Sequence, residues 1–94
     1  MNRNTATQNS SYDEIISLIT RIDDFNLMRN FFSELFTDSE LRDIALRWEL
    51  IKRLKRGDSQ RKISSELGVS LCKITRGSKL IKNDSSAVNR LLSD

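Results

Sequence analysis

The stretch from Ser59 to Lys82 constrains the fold of this chain more than any other. Two short segments with helical spacing of apolar residues flank Gly68, which readily adopts the positive φ of a tight turn. Ser70 follows as the N-cap of the second segment, which runs to about Asn83. The residues expected to fill the angle between the two helices are Ile63, Leu67, Val69, Leu71 and Ile74. The pattern predicts a helix-turn-helix over residues 59–83, a motif that often places its second helix in the major groove of DNA.

Positive charge is concentrated on this motif. The net charge is only +3, yet residues 46–82 contain eleven Lys and Arg against three Asp and Glu, whereas residues 1–45 contain four against eight. A basic surface on a helix-turn-helix is the electrostatic signature of phosphate contacts. The distribution favours double-stranded DNA as the partner over a membrane surface.

Length and composition set further bounds. A chain of 94 residues suits one small domain, here residues 11–94, whose core stays small unless the chain associates. Residues 1–10 are polar and are expected to form a disordered arm. They contain no apolar signal segment, and no apolar run reaches the length of a membrane span, which predicts a cytoplasmic protein. Cys72 is the only cysteine and histidine is absent, so the sequence predicts no disulfide within the chain and no metal site.

The N-terminal third carries more large apolar residues than a lone small domain buries. A capping box from Ser11 to Glu14 begins a predicted helix that ends near Asp23, and a second predicted helix covers Phe25 to Phe36. Their apolar residues are Ile15, Ile16, Leu18, Ile19, Ile22, Phe25, Leu27, Met28, Phe31, Phe32, Leu35 and Phe36. A monomer would expose such a patch, so we expect the two helices to be buried across a homodimer. The alternative is that they cover only the core of their own chain.

The longest predicted helix follows. A capping box from Thr37 to Glu40 begins it and Gly57 ends it. The apolar residues of this central helix are Leu41, Ile44, Ala45, Trp48, Ile51 and Leu54. A short last helix is expected after the cap residues 84–86. Together with the helix-turn-helix, the pattern predicts an all-α fold of six helices.

One position interrupts the apolar stripe of the second helix of the motif. After Ile74 the next core place falls at Gly77 and Ser78, and the stripe resumes only at Ile81. Glycine inside a helix costs about 1 kcal/mol relative to alanine, so the position needs a reason. Either another helix crosses closely there, or the gap is a slot for a flat ligand, with Arg76 beside it to hold an anion. The sequence leaves both interpretations open.

These residues resemble the bacterial Trp repressor family. The string ITRGS at residues 74–78 is the most specific element, and SQR at 59–61, ELG at 66–68 and Leu-Arg at 46–47 support it. The resemblance covers about residues 36–82. It implies an intertwined helical homodimer that binds operator DNA only when L-tryptophan occupies a pocket between the central helix and the recognition helix.

The resemblance also implies the residues of both sites. L-Tryptophan would bind with its indole between Arg47 and Arg76, in a pocket made of Phe36, Thr37, Arg47, Arg76, Gly77 and Leu80. Leu80 stands where the family has a serine that helps to hold the amino group of the ligand, so weaker binding is expected. The predicted DNA contacts are Gln60, Arg61, Ser70, Cys72, Lys73, Thr75 and Lys82. Ser64 replaces a family lysine and Lys73 a family threonine, so the operator is expected to differ.

The predicted function is that of a transcriptional repressor of genes for tryptophan biosynthesis or uptake, with L-tryptophan as corepressor. One alternative is a ligand-independent DNA-binding module, such as the recognition part of a transposase or a relative of the repressor. A purely protein-binding helical domain is a further alternative. The chain has no histidine, no glycine-rich phosphate loop and no nucleophile with an evident base, which argues against an enzyme.

Overall fold

The computed structural model describes residues 3–93, with side chains from residue 6 onward. This part of the chain contains six α-helices and no strand: α1 (Arg3–Arg21), α2 (Phe25–Leu35), α3 (Asp38–Arg56), α4 (Gln60–Leu67), α5 (Leu71–Lys82) and α6 (Ala87–Leu92). The all-α prediction with six helices is confirmed. The chain forms two compact units, Met1–Asp38 and Ser39–Asp94, and the single domain over residues 11–94 stays a prediction.

Helix α1 begins at Arg3 rather than at Ser11. The prediction of a disordered arm over residues 1–10 is therefore wrong from Arg3 onward, and residues 1 and 2 lie outside the described residues. Neither glycine nor proline occurs before Asp23. Once the apolar residues 15–22 nucleate a helix, each residue added in front gains a backbone hydrogen bond at little cost. Ser11 lies inside the helix, so its predicted capping box does not form.

The first unit buries none of its described side chains. Asp24 is the N-cap of α2 and accepts hydrogen bonds from the backbone N–H groups of Asn26 and Leu27, at 2.9 and 3.3 Å. The large apolar residues of this unit are exposed or half-buried throughout residues 6–38, and Phe25 is 76% exposed. The helices of the first unit thus do not bury the apolar side chains of that unit.

The second unit has a small core. Leu50 of α3, Ile63 of α4, Val69 of the turn and Ile74 of α5 are buried together, and Leu46, Leu54 and Leu67 pack against them. Helix α3 ends as predicted at Gly57, whose φ is 101°. The N–H of Gly57 donates to the carbonyl of Leu54 at 3.1 Å, and that of Asp58 to the carbonyl of Arg53 at 3.0 Å. This hydrogen-bond pattern satisfies the last carbonyls of the helix.

The helix-turn-helix forms where it was predicted. Ser59 and Ser70 are the N-caps of α4 and α5, and their hydroxyls accept from the N–H groups of Lys62 and Lys73. Gly68 ends α4 with a φ of 66°. The prediction for Leu71 is wrong, because its side chain is 62% exposed. Val69, two residues earlier, takes the core place at this level, and Leu71 faces solvent at the start of α5.

Asn89 of α6 forms hydrogen bonds with the C-terminal end of α5. It is buried, and its Nδ2 donates to the carbonyls of Leu80, Ile81 and Asn83 at 3.2, 2.7 and 2.8 Å. Its Oδ1 accepts from Lys55 Nζ of α3 at 3.0 Å. Ser86 is the N-cap of α6, within the predicted cap residues. One buried amide therefore joins α6 to the C-terminal end of α5 and to α3.

Candidate ligand pocket and nucleic-acid interface

A cavity of about 200 Å³ lies between α3 and α5, within the second unit. Its wall is formed by Asp43, Leu46, Arg47, Leu50, Ile51, Val69, Lys73, Arg76 and Gly77. The α3 residues recur at intervals of three and four, as do the three from α5, so each set occupies one face of its helix. The two faces meet at the cavity because the core residues Leu50 and Ile74 hold the helices together.

The cavity has an apolar floor and a charged rim. Leu50, Ile51 and Val69 are buried, whereas the charged wall residues Asp43, Arg47, Lys73 and Arg76 are exposed. The rim holds three cations and one carboxylate. Within the described part of the chain, none of these four groups forms an ion pair. Such a site suits a small ligand with an apolar body and an anionic group.

Gly77 marks a close crossing of two helices. A Cβ atom built on Gly77 would lie 3.0 Å from Leu54 Cδ1 and 3.8 Å from both Ile51 Cγ1 and Leu50 Cδ2. The close-crossing interpretation of this glycine is therefore confirmed, and the space of its missing side chain is filled by α3. Gly77 also lines the cavity, which lies beside this contact.

The predicted ligand residues are only partly brought together. Arg47, Arg76 and Gly77 share the cavity wall, as the proposed sandwich requires. Leu80 lies outside that wall, one turn further along α5, where its carbonyl accepts from Ser86 Oγ and Asn89 Nδ2. Phe36 and Thr37 belong to the first unit, and their role stays a prediction.

Two charged wall residues were missed by the sequence reasoning. Lys73 was assigned to DNA alone, and Asp43 was assigned to nothing, yet both line the cavity. Helical spacing was the available signal, because Asp43 precedes Arg47 by four residues and Lys73 precedes Gly77 by four. The spacing places each residue on a face of its helix, but it does not by itself show which faces of α3 and α5 meet.

The predicted DNA-contacting side chains are all exposed: Gln60, Arg61, Ser70, Cys72, Lys73, Thr75 and Lys82. Two of them already have local hydrogen bonds. Ser70 Oγ caps α5 by accepting from the N–H of Lys73 at 3.4 Å, and Thr75 Oγ1 donates to the carbonyl of Leu71 at 2.8 Å. Leu71 adds an exposed apolar group to this surface, a feature that the sequence reasoning placed in the core.

All three acidic residues of the basic segment 46–82 form ion pairs with cations of α3. Arg53 Nε lies 3.2 Å from Glu49 Oε2, and its guanidinium also binds Glu66 of α4. Arg56 Nη2 lies 2.5 Å from Asp58 Oδ2. The hydrogen bond from Arg56 lowers the pKa of Asp58.

The pKa of Arg53 is raised, first by its hydrogen bond with Glu66 and then by that with Glu49. The pKa of Glu49 is lowered, first by Lys52 and then by Arg53. The two cations therefore favour the ionised form of Glu49. The cations of α4 and α5 form no ion pair with any described residue and face solvent.

A helix-turn-helix whose cations face solvent is typical of a transcription regulator that binds DNA. Residues 10–94 match the family model described as Trp repressor protein, and the chain belongs to that family. The family is one of transcription regulators rather than enzymes. No helix in the described part of the chain combines the length and the hydrophobicity needed to cross a membrane.

Individual relatives agree with this assignment. The chain is 32% identical over 76 residues to a Trp operon repressor homolog from Chlamydia trachomatis serovar D, covering 80% of this chain and 81% of that one. It is 28% identical over 80 residues to the uncharacterized protein YerC of Bacillus subtilis, covering 85% and 77%. The crystal structure of a candidate Trp repressor from Staphylococcus aureus has a TM-score of 0.75 at 23% identity, covering 99% and 93%, which supports the fold.

Proposed function

We propose that this protein is a cytoplasmic, homodimeric repressor that binds operator DNA when L-tryptophan occupies the cavity between α3 and α5. The genes under its control would serve tryptophan biosynthesis or uptake. The observation that carries the proposal is a shared helix: Lys73, Arg76 and Gly77 of α5 line the cavity, while Cys72 and Thr75 of the same helix are exposed. A ligand in the cavity would therefore contact the same helix that would enter the major groove.

The chemistry of the cavity fits L-tryptophan. Arg47 from α3 and Arg76 from α5 both line it, and guanidinium planes stack on the faces of an indole. Arg76 or Lys73 can hold the carboxylate. The apolar floor suits the indole ring. The cavity volume of about 200 Å³ lies below the range of about 300–1,000 Å³ that is typical of pockets for drug-sized ligands, so the cavity suits a smaller ligand.

The electrostatics support binding to DNA. Carboxylates within the basic segment are paired with cations of α3, so Arg61, Lys73 and Lys82 remain available for phosphates or base edges. Exposed Leu71 can contact a thymine methyl group from the start of α5. Arg61, at the start of α4, suits a phosphate contact that fixes the position of the motif.

The exposed apolar surfaces support a homodimer. Phe25, Leu27 and Leu35 are exposed in the first unit, and Ile44 and Trp48 are exposed on α3. A second copy of the chain offers the same surfaces in return, which is the self-complementarity of a two-fold dimer. Such a dimer can present two recognition helices to successive major grooves about 34–36 Å apart.

Corepression requires only that the ligand bind one arrangement of the recognition helix more tightly than another. A ligand between α3 and α5 favours the arrangement of the recognition helix that it fits best, and it shifts the population by its differential affinity for that arrangement. By reciprocity, bound operator must then tighten ligand binding by the same factor.

One observation favours a second candidate, a ligand-independent DNA-binding module. Leu54 already fills the space in front of Gly77, so part of the gap that the sequence suggested for a ligand is closed by the protein itself. This module would bind the same DNA with or without L-tryptophan.

Two measurements on the purified protein test the choice. Calorimetric titration with L-tryptophan should give saturable binding, and a ligand at 100 times its Kd should stabilise the folded state by about 2.7 kcal/mol. Operator sequences selected from random duplexes should then bind more tightly with L-tryptophan than without it, at fixed salt. Absence of saturable heat up to millimolar ligand, or equal DNA affinity in both conditions, would favour the ligand-independent module.

A further inference from the structure

Asp43 is the one carboxylate on a cavity wall that otherwise carries cations. It lies on α3 four residues before Arg47, so both side chains lie on the same face of the helix. The other charged wall residues are Lys73 and Arg76. A site built only to hold an anion gains nothing from a negative group on its rim, because like charges repel.

The Asp43 carboxylate forms no ion pair with any described residue. An Asp and an Arg four residues apart on a helix often pair, yet no described cation lies within 4.0 Å of Asp43. Its side chain is exposed at the cavity rim. It therefore offers free acceptor oxygens to a ligand bound there.

The combination of charges selects a class of ligand. A simple carboxylic acid would use the cations and leave Asp43 repelled, and a simple amine would use Asp43 and be repelled by Arg47, Lys73 and Arg76. An α-amino acid carries an ammonium and a carboxylate on one carbon atom and satisfies both kinds of group. Leu80, a hydrocarbon side chain outside the wall, supplies no acceptor for the ammonium.

We propose that Asp43 accepts the ammonium group of the ligand and so selects an amino acid over the corresponding carboxylic acid. This role rests on the proposed binding of L-tryptophan in the cavity. Asp43 is then a specificity-determining residue of the ligand site.

The test compares two ligands on four forms of the full chain. L-Tryptophan and 3-indolepropionate, which is the same molecule without the amino group, are titrated into the unmodified protein and into Asp43→Asn, Asp43→Glu and Asp84→Asn. Asp43→Asn should weaken L-tryptophan binding about tenfold, because a charge-assisted hydrogen bond is lost, and should leave 3-indolepropionate binding no weaker. Asp43→Glu should keep the preference for the amino acid.

Asp84→Asn is the matched control, since it removes an exposed charge from the same unit away from the cavity wall. It should alter neither affinity, and thermal melts should show all variants folded. Equal weakening of both ligands by Asp43→Asn, or no effect on either, would overturn the role of Asp43 while leaving the ligand site in place. Failure of the unmodified protein to bind either indole would instead overturn the proposed ligand itself, and the role of Asp43 with it.

Discussion

Leu54 Cδ1 lies 3.0 Å from the point where a Cβ atom at Gly77 would stand. Helix α5 therefore approaches α3 as backbone against side chain, and any larger residue at position 77 must displace Leu54. The contact fixes the separation of the two helices whose faces form the cavity. Gly77 therefore has two roles in the structure: it packs against α3, and it lines the cavity.

Gly77→Leu should destabilise the fold by about 1–3 kcal/mol, because the added side chain overpacks the crossing. Gly77→Ala should cost much less, since about 1 kcal/mol of helix propensity offsets the tight contact. Urea unfolding measures both. In a double-mutant cycle, Leu54→Ala should reduce the penalty of Gly77→Leu by giving it room. An unchanged stability for Gly77→Leu would contradict the close crossing, and its ligand binding is informative only where the variant is folded.

Arg76→Ala should weaken L-tryptophan binding by at least tenfold while leaving the unfolding midpoint nearly unchanged. The side chain is exposed on the cavity wall, so its loss removes a stacking and charge-assisted contact without opening the core. Lys79→Ala is the control, because Lys79 is an exposed cation of the same helix outside the wall. Similar losses of ligand affinity in both variants would point to a general charge effect and against a specific contact.

Arg61→Ala and Lys73→Ala should affect DNA binding differently. Arg61, at the start of α4, is expected to contact phosphate, so its loss should weaken all sequences alike and reduce the salt slope by about one. Lys73, in the first turn of α5, is expected to change sequence preference, and its place on the cavity wall predicts a change in ligand affinity as well. Binding to selected and random duplexes over a range of salt distinguishes the two.

Arg90→Ala serves as the control for both, since this exposed cation lies on α6 outside the helix-turn-helix. An equal loss on selected and random DNA for Arg61→Ala and Lys73→Ala would refute the division of roles.

Phe25→Glu should convert the proposed dimer into a soluble monomer. The side chain is 76% exposed in the single chain, so a charge there is harmless until a second chain covers it and leaves it unpaired. Phe31→Glu alters a half-buried ring and should also damage the chain itself, giving unfolded or insoluble protein. Asn26→Glu is the control, because it adds the same charge at a neighbouring exposed polar position. Sedimentation at micromolar concentration measures the result, and a folded monomer of the unmodified chain would rule out the dimer.

Stability should fall in acid partly through Asp58 and Glu49. Arg56 lowers the folded pKa of Asp58, and Lys52 and then Arg53 lower that of Glu49. A carboxyl whose pKa is lower in the folded state stabilises the fold above its ordinary pKa of about 4, and this stability is lost as pH falls through the folded value. Asp58→Asn should therefore lose more stability at pH 7 than at pH 2. A loss of stability for Asp58→Asn that is equal at pH 7 and at pH 2 would contradict the Arg56 pairing.

Local signals determined the boundaries of the helix-turn-helix. The cap at Ser70 and the positive φ of Gly68 depend on hydrogen bonds and sterics within a few residues, so the sequence predicts them correctly. The start of α1 was misplaced because a cap-like residue such as Ser11 competes weakly with continuation of a helix that no glycine or proline interrupts.

Only the tertiary structure decided which residues meet. Leu71 is exposed although its neighbour Val69 is buried as predicted, Leu54 fills the space before Gly77, and Asp43 lines the cavity. Each of these outcomes depends on the distance and rotation of α3 relative to α5, which arise from packing between residues far apart in the chain. Helical periodicity identifies the face on which a side chain lies, but the neighbour of that face is settled by close packing in three dimensions.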